Sequence, residues 1–166
     1  MVTHNEIKQS LSDLEDNDFR IREMARSKLA SLGPEAVPAL IHQLKTDKTH
    51  CRWEAAKILG EIQTEAAAEA LVEALVDESI NVHWAASEAL IKYGRDAILP
   101  LLEGITRHFS SMRFRQGAYH ILHALENSHQ LDPHAQEVLD ALRDVHPAAS
   151  APWAAERAIE YLKYQK

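Results

Sequence analysis

The side chains with most chemical reach in this chain are ten histidines, three tryptophans and a single cysteine. His120 and His123 stand three apart, and His129, His134 and His146 follow within a short distance. Grouped histidines suggest a metal, but zinc sites of known type gather ligands closely, commonly with cysteine or a carboxylate. No cysteine accompanies these residues. Neither a metal nor another cofactor is expected, and the histidines read as solvated surface groups, with His120 as a polar contact. Cys51, alone and in an apolar setting, reads as an inert core thiol of a reducing compartment. The stretch Arg107-His108-Phe109-Ser110-Ser111-Met112-Arg113-Phe114-Arg115 is the only local basic cluster with interleaved aromatics. The formal charge of −7 works against broad nucleic-acid affinity, which needs many Lys and Arg contacts to phosphate. That cluster reads instead as a solvated turn or a docking spot for an acidic partner. No Gly-rich phosphate loop, Ser-His-Asp arrangement or nucleophile elbow is present, so no catalytic residue is assigned.

What positions these side chains is a repeat. Ile21-Arg22-x-x-Ala25-x-x-x-Leu29-x-x-Leu32 is followed by Cys51-Arg52-x-x-Ala55-x-x-x-Leu59-x-x-Ile62 and Val82-His83-x-x-Ala86-x-x-x-Leu90-x-x-Tyr93. Weaker copies are Phe114-Arg115-x-x-Ala118-x-x-x-Leu122-x-x-Leu125 and Ala151-Pro152-x-x-Ala155-x-x-x-Ile159-x-x-Leu162. The second positions fall at 22, 52, 83, 115 and 152, spacings of 30, 31, 32 and 37. A period of this size is the mark of a stacked solenoid. Within each copy the apolar residues make the stripe of an amphipathic helix. A second set of helices lies between them, carried by stripes such as Leu40, Ile41 and Leu44, or Leu101, Leu102 and Ile105. Gly33-Pro34-Glu35 and Gly94-Arg95-Asp96 suit a helix end followed at once by a new start, and Asp132-Pro133 an N-cap with proline behind it. The reading is ten helices in five antiparallel pairs, one domain over residues 1–166, with repeats at about 1–33, 34–63, 64–94, 95–126 and 127–166.

This paired pattern resembles the HEAT repeat, in the variety named after phycobilisome lyase subunits. In that family the first helix often carries a proline, as Pro38 and Pro100 do here. A turn with aspartate follows, then a second helix opening Val-Arg-x-x-Ala-Ala. The resemblance implies an all-α fold, a right-handed α-solenoid of about five HEAT-like helix pairs. It also implies a ladder between repeats in which Asp16, Asp47 and Asp77 meet Arg22, Arg52 and His83, so that Arg52 bonds acids of two adjacent turns. The fourth copy lacks the acid at Phe109-Ser110-Ser111, and in the fifth Pro152 replaces the arginine, as suits an atypical terminal repeat.

In HEAT solenoids the second helices line the concave face, where partners usually bind. Counted from the arginine, +3, +7 and +10 point to the core, so +1 and +5 point away from it. The expected partner-binding residues are therefore Trp53, Lys57, Trp84, Glu88, Gln116, His120, Trp153 and Arg157. All three tryptophans share the +1 position. They read either as aromatic anchors of a binding face or as half-buried packing over the next helix. Two HEAT-built enzyme families offer other chemistry. The deoxyhypusine hydroxylases hold iron with His-Glu dipeptides, and no histidine here is followed by Glu. HEAT-like DNA glycosylases set concave tryptophans beside an acid, but must also grip phosphate, against the −7 charge.

The reading that results is a non-catalytic scaffold that binds a protein or peptide partner on its concave face, a monomer with no nucleic-acid or membrane partner. The alternative is a subunit resembling the bilin lyases, acting on a phycobiliprotein-type partner. The N-terminus lacks the basic and apolar regions of a signal peptide, and the cytoplasm is the expected location.

Overall fold

The computed structural model of the chain describes residues 4–164. Among these residues there are ten α-helices and no strand. They are α1 (His4–Asp13), α2 (Phe19–Leu32), α3 (Val37–Gln43), α4 (Thr49–Ile62), α5 (Glu65–Glu73), α6 (Ile80–Tyr93), α7 (Ile98–His108), α8 (Met112–Asn127), α9 (Pro133–Leu142) and α10 (Pro147–Tyr164).

Local chemistry sets most of the boundaries. Asp18, Thr64, Ser111 and Asp132 each accept a backbone N–H of the helix they precede, satisfying donors the helix itself leaves open. Gly33 and Gly94 stop α2 and α6 at φ values of 59° and 58°, where a side chain would be strained. Short 3-10 turns, Gly33–Ala36 and Gly94–Ala97, then lead straight into α3 and α7. Pro38 and Pro100 fall in the first turns of α3 and α7, where a missing N–H has no helical partner to lose.

Packing follows from the stripes. The first helices α1, α3, α5 and α7 form one layer, and the second helices α2, α4, α6 and α8 form the other. Leu29, Leu40, Leu59, Leu71, Leu90, Leu101, Ile105, Phe114 and Leu122 are wholly buried between them. This is the expected right-handed α-solenoid.

The last pair departs from the expected stack. The register predicts α10 as the fifth second helix, beside α8. It lies instead along α7 and α9, on the first-helix side, with Lys163 Nζ 2.8 Å from Glu103 Oε1 of α7. Successive second helices approach closely: a Cβ at Gly60 of α4 would sit 2.7 Å from the Ala89 Cβ of α6. A Cβ at Gly117 of α8 would sit 2.9 Å from the His83 ring and 3.5 Å from Ser87 Oγ of α6. On the far side of α8 stands α9, whose Gln136 donates to Glu126 Oε1 at 2.8 Å, so the place beside α8 is already taken.

The second-helix face as candidate binding site

The second-helix layer brings six of the expected site residues together. Trp53 and Lys57 stand on α4, Trp84 and Glu88 on α6, Gln116 and His120 on α8. Trp84 is 45% exposed and meets His120 edge-on at 4.9 Å and His83 edge-on at 5.4 Å. His120 Nε2 lies 3.0 Å from Glu88 Oε1. Trp53 is half-buried, its ring 5.9 Å from His50, and Lys57 Nζ sits 4.3 Å over its centroid. Gln116 is exposed. Trp153 and Arg157 are not part of this row, because α10 has left it. Trp153 is 74% exposed on the outer side of α10, and Arg157 pairs with Glu137 of α9.

Three apolar side chains of this face escaped the reading of the sequence. Phe19, Ile80 and Met112 open α2, α6 and α8 and are 63%, 54% and 67% exposed. Each stands four residues before the +1 position, and so on the same helical face. With Trp53 and Trp84 they form an apolar band across the amino-terminal ends of the four second helices. Thr49, His50, Trp53 and Asn81 border an open cleft of ≈ 490 Å³ within it. Extending the helical wheel one turn toward the N-terminus would have found the band.

The turns below the band carry the arginine contacts. Arg52 is buried, and its Nε and Nη2 donate to the two carboxylate oxygens of Asp77 at 2.7 and 3.1 Å. Its Nη1 donates to the carbonyls of Thr46 and Asp47 at 2.9 and 3.1 Å. Hydrogen bonding to Asp77 holds this guanidinium more firmly protonated than usual. Arg52 thus meets two acids of the one turn ahead of it, Asp77 and, at 3.4 Å, Glu78, while its own turn offers carbonyls and not the expected second acid. Arg22 donates to the carbonyls of Asp16 and Asn17, while the Asp16 carboxylate accepts the Asp18 N–H. The Asp47 carboxylate takes no part in these contacts; only its carbonyl does. His83, buried, points Nδ1 at the Leu75 carbonyl, 2.9 Å away. Arg113 Nη1 donates to the carbonyls of Asp77 and Glu78 at 2.6 and 2.7 Å, so the turn at Asp77 is held from both sides.

The family profile described as HEAT repeats matches residues 7–90. The chain belongs to the HEAT-repeat family. No curated protein matches its sequence. Among solved structures, a chain of the complex of CpcE and CpcF of phycocyanin lyase from Nostoc sp. PCC7120 is similar at a TM-score of 0.60. It shares 19% identity, and the match covers 94% of this chain and 99% of that one. An engineered protein is similar at a TM-score of 0.42 and 17% identity, over 95% of this chain and 98% of that one.

Other features of this HEAT structure lie off the band. In the α2–α4 seam half-buried Arg26 donates to both oxygens of the buried Glu54 carboxylate at 2.9 and 2.8 Å. Neither residue stands at a repeat position that the motif singled out, so spacing gave no sign of the pair. Larger clefts occur elsewhere: ≈ 650 Å³ among α3, α5 and α7, and ≈ 580 Å³ along the turns near Tyr93, Leu131 and Leu162. Burial pushes the Tyr93 phenol up to about 12, and its hydroxyl donates to the Leu59 carbonyl. The histidines diverge: His123 stacks on Tyr119, His134 lies tilted against Tyr161, and His120 faces Glu88. Among the described residues no three His, Cys, Asp or Glu side chains converge as a metal set would. Cys51 is buried, and burial raises its thiol pKa.

Proposed function

We propose that the chain is a non-catalytic cytoplasmic scaffold, a monomer that binds a protein or peptide through its second-helix face. The observation that carries this reading is the apolar band of exposed Phe19, Ile80, Trp84 and Met112 around half-buried Trp53. Large apolar residues grouped on a surface mark interaction sites, and tryptophan is among the side chains that contribute most to them. Polar neighbours Lys57, Glu88, Gln116 and His120 supply a rim that can fix register. The net charge of −7 speaks against nucleic acid as the partner. No helix among the described residues is long and apolar enough to cross a membrane.

The test is affinity capture from the source cell with the wild-type chain and with a Trp84→Ala/Ile80→Ser variant of equal melting temperature. A protein held by the wild type and lost by the variant supports the reading. An identical set held by both contradicts it.

A second reading has an observation of its own, the similarity to a chain of the phycocyanin lyase complex. Under it, the protein is a bilin-handling subunit acting on a phycobiliprotein-type partner, with the aromatic band against the tetrapyrrole. Co-expression with a bilin separates the two: a coloured purified protein favours the lyase-like subunit, a colourless one the scaffold.

A further inference from the structure

Helix α10 buries one side and exposes the other. Ala151, Ala155, Ala158, Ile159 and Leu162 turn toward α7, α9 and the core. Opposite them on the helical wheel stand Trp153, Arg157, Glu160 and Tyr164, spaced by four, three and four residues. That spacing keeps four side chains on one line along a helix, the pattern of a helix–helix seam. All four are exposed, Trp153 to 74% and Tyr164 to 85%. Arg157 reaches sideways to Glu137 of α9, yet its side chain remains 70% open.

The line is complementary to itself when a second copy is turned end for end. If residue 153 of one copy meets residue 164 of the other, the same register sets 157 against 160. Each Trp153 then meets a Tyr164 and each Arg157 a Glu160, twice over, because a two-fold contact repeats every pair. Two ion pairs lie at the centre and an aromatic pair at each end, an arrangement that gives both register and apolar contact. A parallel two-fold alignment would instead set Arg157 against Arg157 and Glu160 against Glu160. Charge therefore selects the antiparallel one.

We infer that the outer face of α10 is a pairing surface for a second copy of this chain, an antiparallel helix pair with Arg157 and Glu160 at its centre and Trp153 and Tyr164 at its ends. A seam of four residues a side is small beside the roughly 1,200–2,000 Å² of a stable interface. The dimer accordingly forms and separates with concentration, and the monomer that offers the second-helix face is its dilute state. The seam shares no residue with the apolar band, so the inference does not depend on what that face binds.

Sedimentation velocity over a concentration series tests it. The wild type should pass from monomer to dimer as concentration rises. Arg157→Glu and Glu160→Arg each set like charges face to face, and each should raise the dimer dissociation constant about tenfold or more. The double variant Arg157→Glu/Glu160→Arg restores opposite charges across the pair and should return close to the wild-type value. Trp153→Ala should weaken pairing, while Trp84→Ala should leave it unchanged. Should Trp153→Ala fail to fold by circular dichroism, Tyr164→Ser removes the other half of the aromatic pair, with the same loss expected. A wild type that stays monomeric up to its solubility limit would overturn the inference. So would a dimer that both single charge reversals leave intact, a double variant no better than the singles, or a dimer that Trp84→Ala dissociates.

Discussion

A guanidinium presents five donors in one fixed plane, and Arg52 directs them to groups on two successive turns. Removing it leaves the Asp77 carboxylate without its main partner at a largely buried site. Hydrogen bonds to charged groups are worth roughly 1.5–3 kcal/mol, and Arg52→Ala should lose at least that much. Lys57→Ala, which removes only a cation over a half-buried ring, should stay within about 1 kcal/mol of wild type. Thermal melts of the two variants check this, and equal losses would deny Arg52 its structural role. The spacing of the motif singles out this arginine and Asp77, which meet across successive turns. It could not say which atoms would meet: with five or six residues between aspartate and arginine, the turn can offer carbonyls as readily as carboxylates. At Asp16 and Asp47 the carbonyls took that place.

Helices and their pairing were legible because each stripe, cap and glycine stop acts within a few residues of itself. The seams between second helices were less so, since they depend on size at positions the motif leaves open. Gly60→Leu should force α4 from α6, as even a Cβ would lie 2.7 Å from Ala89 Cβ and 3.0 Å from its Cα. Overpacking of this kind costs about 1–3 kcal/mol, readable in chemical denaturation. The departure of α10 had signs in the sequence, a spacing of 37 and Pro152 in the arginine position. Nothing in the motif marked α9 as the helix that covers the far side of α8. The polar cluster between α8 and α9, where Arg143, Gln136 and His123 meet Glu126, also makes a pH prediction. Hydrogen bonds from Arg143, Gln136 and His123 hold the Glu126 carboxyl at about 2, below its ordinary 4.5. Its folded pKa lies below the unfolded one, so the contribution is complete above about pH 4.5 and is lost as pH falls toward 2. Glu126→Gln should therefore narrow the stability gap to wild type across that acid range, followed by melts at stepped pH. A gap constant from neutral pH down to 2 would contradict the assignment.

At the scale of the molecule, eight helices form two layers and the last two close the stack in a different order. The band on the second-helix face is what this arrangement leaves open to a partner. Its tryptophans were placed by register alone, whereas Phe19, Ile80 and Met112 became visible only once the helix starts were fixed in space. The most direct test asks whether Trp84, the centre of that band, is surface or core. In a Trp53→Phe/Trp153→Phe background, acrylamide should quench the remaining indole readily, and replacing Trp84 by Ala should cost less than about 1 kcal/mol in a melt. A strongly protected indole, with a loss of about 3–5 kcal/mol on replacement by Ala, would mark Trp84 as packing and remove the binding face.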